Sequence, residues 1–217
     1  MAAPARSQIC GNGKNDVPVL VCGGGPVGLA VALDLGWRGI PCLLVEQGDG
    51  ERVQPKMLIA SVRTMEICRR WGIAGRMKSW GFPDDFPLDN VFVTSLAGHE
   101  IARIPLPALR DTKPMASSPE AQCHCPQTWF DPILRQAATG HPRVRLRHRV
   151  RLESFREDPD GVEATLVDET TGSREIVRAD YLVACDGFRS AVRDSLGIRM
   201  HGRDPVDKSV NLMIRIP

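Results

Sequence analysis

"VLVCGGGPVGLAVALDL", Val19 to Leu35, sets two apolar runs on either side of a stretch rich in glycine. Pro18 to Cys22 is β-branched and apolar, and reads as a buried strand ended by glycine. Pro26 to Trp37 reads as a helix, because proline suits a first helical turn where its missing N–H would have no partner. Gly36 and Gly39 close that helix, and "IPCLLVE", Ile40 to Glu46, is a second buried strand. Strand, helix and strand in about thirty residues make a βαβ unit, with a right-handed crossover expected.

Gly23, Gly25 and Gly28 form G-x-G-x-x-G between the strand and the helix. Gly23 would make the tight turn, Gly25 would let the backbone approach a pyrophosphate, and Gly28 would let the helix pack close to the sheet. The free N–H groups of Val27 and Gly28, with the positive dipole end at Pro26, would then hold the anion. Glu46 stands 18 positions after Gly28, at the end of the second strand. A carboxylate there can accept from both hydroxyls of an adenosine ribose, and it would repel a 2′-phosphate. A lone G-x-G-x-x-G is weak. Its position after a strand and before a helix, with an acid in register, predicts a dinucleotide. FAD and NAD present the same ADP half, so this stretch does not choose between them.

The chain has 217 residues, one large domain or two small ones. An apolar content of 42% supports a core, and a net charge of +2 argues for neither a nucleic-acid nor a membrane-surface partner. Seven scattered cysteines read as reduced thiols of an intracellular protein, so a cytoplasmic location is expected. No apolar stretch approaches the ~20 residues that span a bilayer. The N-terminus lacks the apolar segment of a secretory signal, and residues 1–16 read as a mobile tail.

Downstream, "SVRTMEICRRWG", Ser61 to Gly72, reads as a helix with Ser61 as cap and Gly72 as stop. Asn90 to Pro105 switches to period two, a hairpin turning at Ala97-Gly98, and 105–122 reads as loop. Thr128 is expected to cap a helix reaching Ala138, with Asp131 in the capping-box position. Val144 to Asp186 reads as successive strands joined by "DPDG" and "ETTGS". The last of them, "YLVACDG", is another buried run, and "SAVRDSLG" a short helix after it. "KSVNLMIRIP" is an alternating strand without a partner, which suggests a fragment.

"YLVACDGFRSAVRDSLG" carries D-G-x-x-S-x-x-R, with Asp186, Gly187, Ser190 and Arg193. With the first fingerprint, it resembles the group-A FAD-dependent aromatic hydroxylases, flavoprotein monooxygenases of the p-hydroxybenzoate and phenol hydroxylase type. The resemblance spans residues 17 to about 217, the N-terminal part of such an enzyme. It implies an α/β fold: a Rossmann-like FAD-binding domain with a parallel sheet, an antiparallel meander, and the start of a β-rich substrate domain. The FAD-binding domain is expected over 17–80 and 126–200, and a partial substrate domain over 88–122 and 205–217. In the family the Asp-Gly sits near the flavin diphosphate and the path of NAD(P)H, which implies a cofactor role for Asp186 and Gly187. "PKMLIASVRTMEICRRWGI" is similar to a segment with a cofactor-contacting basic residue, implying Lys56, with Arg63 second. "CPQTWFDPIL" is similar to a landmark whose glutamine reaches the flavin, implying Gln127. The family's later Gly-Asp, which holds the ribityl chain, has no counterpart in the expected place; Gly48-Asp49 lies too early.

The resemblance implies an NAD(P)H-dependent monooxygenase of a small aromatic or polyketide-like substrate. By that resemblance, NAD(P)H would reduce bound FAD, O2 would add at the flavin as a hydroperoxide, and the distal oxygen would pass to the ring. No catalytic side chain is expected within these residues, and a second chain or a C-terminal part would complete the flavin site. An NAD-binding dehydrogenase module and a non-catalytic flavoprotein half are the alternatives. Elsewhere the residues read as structure. "CHC" at Cys123–Cys125 lacks the second ligand pair of a zinc site. Cys22, Cys42 and Cys185 read as small core residues. Arg143, Arg145, Arg147, Arg149 and Arg151 alternate along a strand as a solvated face.

Overall fold

The computed structural model describes residues 16–51 and 55–202. In chain order its elements are β1 (Val17–Cys22), α1 (Pro26–Trp37), β2 (Cys42–Glu46), β3 (Ile59–Ala60), α2 (Val62–Arg70) and α3 (Ala74–Lys78). There follow β4 (Asn90–Val93), β5 (Glu100–Ile104), β6 (Cys123–His124), α4 (Gln127–Thr139), β7 (Val144–His148), β8 (Val150–Asp158), β9 (Gly161–Asp168), β10 (Arg174–Ala184) and α5 (Ala191–Ser195). The chain divides into two compact units, one of residues 1–54 and 134–217 and the other of residues 55–133.

The first unit is built on a six-stranded sheet in the order β7-β2-β1-β10-β9-β8. β7, β2, β1 and the C-terminal half of β10 run parallel, and β10, β9 and β8 form an antiparallel meander. Parallel strands are covered on both faces and so read as continuous apolar runs, as β1 and β2 do. Leu20, Cys22, Leu43 and Val45 join Val150, Leu166 and Ala179 in one core cluster. On the other face α1 packs with Leu29, Ala32 and Leu33 fully buried, and the Cys42 thiol points at the Ala32 carbonyl. α1 follows the sequence reading at both ends, and β2 begins two residues later than expected.

In the second unit Ser61 caps α2 by accepting the Thr64 N–H, as expected, and Gly72 follows in a left-handed conformation. β4 and β5 form the expected hairpin, closed by the Gly98 N–H donated to Ser95 O, and all nine strand residues are exposed. Within 105–122 a single 3₁₀ turn, Leu109–Asp111, interrupts the loop. Trp80 stacks on Phe82 and lies against Trp129, and its indole N–H donates to His124 O at 2.7 Å.

Three expectations are corrected. The helix α4 starts at Gln127, so Thr128 lies inside it: the Phe130 N–H already donates to Pro126 O. Asp131 accepts from the Gln127 side chain at 3.1 Å, which takes it out of the capping-box role. The run of alternating arginines is broken at Arg149, whose φ of +56° ends β7 and starts β8. Two of the other arginines are ion-paired, Arg147 to Glu175 of β10 and Arg151 to Glu169 in the loop after β9. The apolar run Tyr181–Cys185 is not buried: Tyr181 is 69% exposed and Ala184 is exposed. The tail over 1–15 and the strand at 208–217 lie outside the described residues. Asp16 belongs to the sheet, since its N–H donates to Arg178 O and its carboxylate accepts the Arg178 N–H.

Candidate functional site

The loop after β1 emerges between two parallel neighbours. The Gly23 N–H donates to Val45 O at 2.8 Å on one side, and the Cys185 N–H donates to Cys22 O at 2.7 Å on the other. Gly23 has a φ of +104°, and a Cβ there would overlap the Cys185 carbonyl. A Cβ on Gly28 would lie inside the Gly23 carbonyl, so α1 begins in direct backbone contact with the loop. Both positions therefore require glycine for the fold itself. Gly25 is different: it is the extended N-cap residue of α1, and nothing lies within 4 Å of a Cβ built on it. No side chain caps α1, and its first turn carries no acid. The Val27 and Gly28 N–H groups lie in that first turn, where an α-helix leaves N–H groups without an intrahelical partner. Open space in front of such a turn suits a negatively charged group.

Glu46 lies at the end of β2, beside this loop. One carboxylate oxygen accepts the Gly24 N–H at 2.6 Å, and the other accepts the Gly48 N–H at 2.7 Å. The side chain is thus fixed in place, and each oxygen keeps a further lone pair for an outside donor. Asp186 and Gly187 follow β10 on the other side of the loop. With Val27, Ala184, Cys185, Ser190 and others they line a cleft of about 380 Å3. The Asp186 carboxylate accepts the Val192 N–H at 3.2 Å, and the Ser190 hydroxyl accepts the Arg193 N–H at 2.9 Å. The Arg193 guanidinium donates to Phe188 O and to Asp194. The serine and arginine of D-G-x-x-S-x-x-R therefore shape the turn that carries Asp186. Burial, and then the Asp186 charge, pushes the Cys22 thiol up to about 12 and raises that of Cys185.

Gly23, Gly25, Pro26, Val27, Gly28, Glu46, Asp186 and Gly187 all belong to the first unit, at the C-terminal ends of three adjacent parallel strands. Lys56, Arg63 and Gln127 belong to the second. There the Gln127 side-chain carbonyl accepts the Lys56 N–H at 3.0 Å, and its amide donates to Asp131. Gln127 is 4% exposed, so it fixes the backbone at Lys56 from inside the unit. Arg63 points outward and pairs with Glu66 at 2.9 Å. Among the described residues no cluster of His, Cys, Asp and Glu is placed to hold a metal, and no helix is long and apolar enough to cross a membrane.

The sequence reading missed two residues of this site. Gly24 and Gly48 supply the N–H groups that hold Glu46. The signal for Gly48 was present as a glycine two positions after the acid, where a main-chain N–H can turn back to a carboxylate.

A protein family described as "FAD binding domain" matches residues 16–217. A tetracenomycin B2 monooxygenase-dioxygenase of Streptomyces olivaceus is 35% identical over 214 residues, covering 92% of the chain and 39% of the relative. The solved rebeccamycin biosynthetic enzyme RebC with reduced flavin is 44% identical, with a TM-score of 0.77, over 83% of the chain and 34% of RebC. The flavin-dependent monooxygenase PieE, solved in complex with FAD and substrate, is 36% identical, with a TM-score of 0.76, over 86% of the chain and 33% of PieE. The chain thus spans well under half the length of these relatives.

Proposed function

The chain belongs to the FAD-binding-domain family, and from that premise we propose that it forms the FAD-binding portion of an NAD(P)H-dependent monooxygenase that hydroxylates an aromatic or polyketide-like substrate. The observation that carries this reading is the open turn at Gly25, with the fixed Glu46 carboxylate at the end of β2 on one side of it and Asp186–Gly187, which line a cleft with Val27, after β10 on the other. The residues fit the ADP half of FAD: the space at Gly25 is one that a Cβ would fill, and main-chain N–H groups face it. Bound there, the flavin would take electrons from NAD(P)H and transfer an oxygen atom from O2 to the substrate.

The protein's part is binding and orientation. Gly23 and Gly28 close the turn, and the N–H groups of Val27 and Gly28 take the diphosphate charge, with Pro26 setting the first turn. Glu46 accepts the ribose hydroxyls and, being negative, disfavours a 2′-phosphate at the same place. Gly187, with a φ of +84°, turns the chain so that Asp186 borders the cleft next to Val27. Lys56, Arg63 and Gln127 are further cofactor contacts on the resemblance alone. The part we assign to Gln127 is to hold the Lys56 segment in place.

Titration of the purified chain with FAD, followed by quenching of flavin fluorescence, tests the reading. Saturable binding of FAD, displaced by ADP and not by 2′,5′-ADP, is the expected result. Tight binding of NAD with no binding of FAD would overturn it in favour of a dehydrogenase module.

A further inference from the structure

Among the described residues Arg149 is the single one other than glycine with a positive φ, +56°. A side chain in that region costs free energy, so a fold keeps it where the surroundings demand it. Here the conformation takes Arg149 out of the two strands that flank it. Its N–H donates to Gly48 O at 2.9 Å, and its C=O accepts the Glu169 N–H at 2.7 Å. Arg149 follows His148, which stands in register with Glu46 on the adjacent strand. The strained residue therefore grips the loop that leaves β2, directly after the carboxylate.

Two further groups of the same unit hold that loop. From α4, the Arg135 guanidinium donates to Gly50 O. Gly50 has a φ of +82°, and a Cβ on it would overlap the His148 imidazole and lie 3.0 Å from the Arg135 guanidinium. Arg135 Nε and His148 Nδ1 are buried without hydrogen-bond partners, so the junction is kept at a further cost in solvation. The Arg149 guanidinium adds little, since it lies 3.6 Å from Asp49 and both side chains are more than half exposed. What the loop gains is a fixed Gly48 N–H, which donates to one oxygen of Glu46 at 2.7 Å while the Gly24 N–H donates to the other. A carboxylate held at both oxygens presents its remaining lone pairs in one direction; held at one, it turns about that bond.

We propose that Arg149, through its backbone conformation, and Arg135, through its bond to Gly50 O, are positioning residues for the Glu46 carboxylate, and so set the preference of this site for an unmodified ribose diol. Both act through the 48–50 loop. The guanidinium at 149 is dispensable for this: a glycine keeps the left-handed conformation, whereas a β-branched residue abandons it. The proposal rests on the reading of Glu46 as the partner of the ADP ribose.

The test compares ADP with 2′-deoxy-ADP on the 217-residue chain by calorimetric titration, beside hydrogen exchange of the Gly48 amide without ligand. The unaltered chain should bind ADP about tenfold tighter than 2′-deoxy-ADP, the scale of one hydrogen bond to a charged acceptor. Arg149→Val should bring that ratio towards one and speed Gly48 exchange by about tenfold or more, because the loop is no longer pinned. Arg135→Met leaves the strands untouched and should do the same, which keeps the test decisive where the valine variant fails to fold. Arg149→Gly should keep both the ratio and the protection. A ratio unchanged in the valine and methionine variants overturns the proposal, and so does an equal weakening of both nucleotides, which marks a merely structural loosening. Loss of the ratio in Arg149→Gly overturns it as well, since conformation is then not what Arg149 contributes. An unaltered chain that binds neither nucleotide sinks the functional reading, and the ribose preference with it; the Gly48 exchange rates then still show whether the brace exists.

Discussion

At Gly25 and Gly28 the same residue type serves two separate purposes, and substitution pulls them apart. A Cβ at Gly28 would lie inside the Gly23 carbonyl, so Gly28→Ala must force α1 away from β1. It should lower thermal stability by several degrees, at the scale of about 1–3 kcal/mol for an overpacked site. Gly25 has nothing within 4 Å of a Cβ and an ordinary φ of −71°. Gly25→Val should therefore leave the melting temperature unchanged while it fills the space assigned to the diphosphate and abolishes FAD binding. A Gly25→Val chain that still binds flavin would place the cofactor elsewhere. Glu46 joins both purposes, because its carboxylate holds the Gly24 and Gly48 N–H groups and faces the proposed ribose. Glu46→Ala should weaken FAD binding by about 1.5–3 kcal/mol, the usual range for hydrogen bonds to a charged group. An affinity unchanged in a fluorescence titration would remove Glu46 from the site.

Between elements, the least expected feature is a buried carboxylate. Glu120 is 2% exposed and joins α2 to α3 through Lys78 at 2.6 Å and Arg69 at 3.3 Å. The Lys78 and Arg69 hydrogen bonds hold its carboxyl below the usual range against the opposing effect of burial. A lowered folded-state value means stability that is present above the unfolded glutamate pKa of about 4.3 and is lost as pH falls below it. Urea denaturation should accordingly show the second unit weakening as acid is added, and Glu120→Gln should flatten that dependence. Equal slopes for both proteins would dismiss the pair as a source of acid sensitivity. No pattern in the sequence marks Glu120, because its partners are remote in the chain and loops have no period. By contrast, β1, α1 and β2 were legible almost to the residue, since one glycine-bounded apolar run after another leaves few alternatives. Gln127 and Thr128 show the opposite limit: a helix may start at either, and only the Phe130 N–H to Pro126 O bond decides. The apolar run at Tyr181 reads as buried because local sequence reports which neighbours a strand suits, not which it has.

Across the whole molecule the cysteines connect folding with the site. Five described thiols, Cys22, Cys42, Cys68, Cys123 and Cys125, are buried, and Cys185 is half-buried in the cleft beside Asp186. Burial pushes Cys22, Cys68 and Cys125 up to about 12 and Cys42 up to about 11. Thiolate is the reactive form, so at pH 8 these groups are almost entirely protonated as well as shielded, on the order of one part in a thousand or less ionised. Labelling of the native chain with a disulfide reagent, mapped by peptide mass spectrometry, should therefore spare all five until the protein opens, and urea should release them together within each unit. Cys185 is the informative exception. It shares its cleft with Val27 and Asp186, where the cofactor diphosphate is proposed to lie, so saturating FAD should slow its labelling without altering the urea midpoint of a ligand-free control. Rapid modification of Cys22 in the native protein would contradict the packing of β1 against β10, and indifference of Cys185 to FAD would separate the cleft from the flavin.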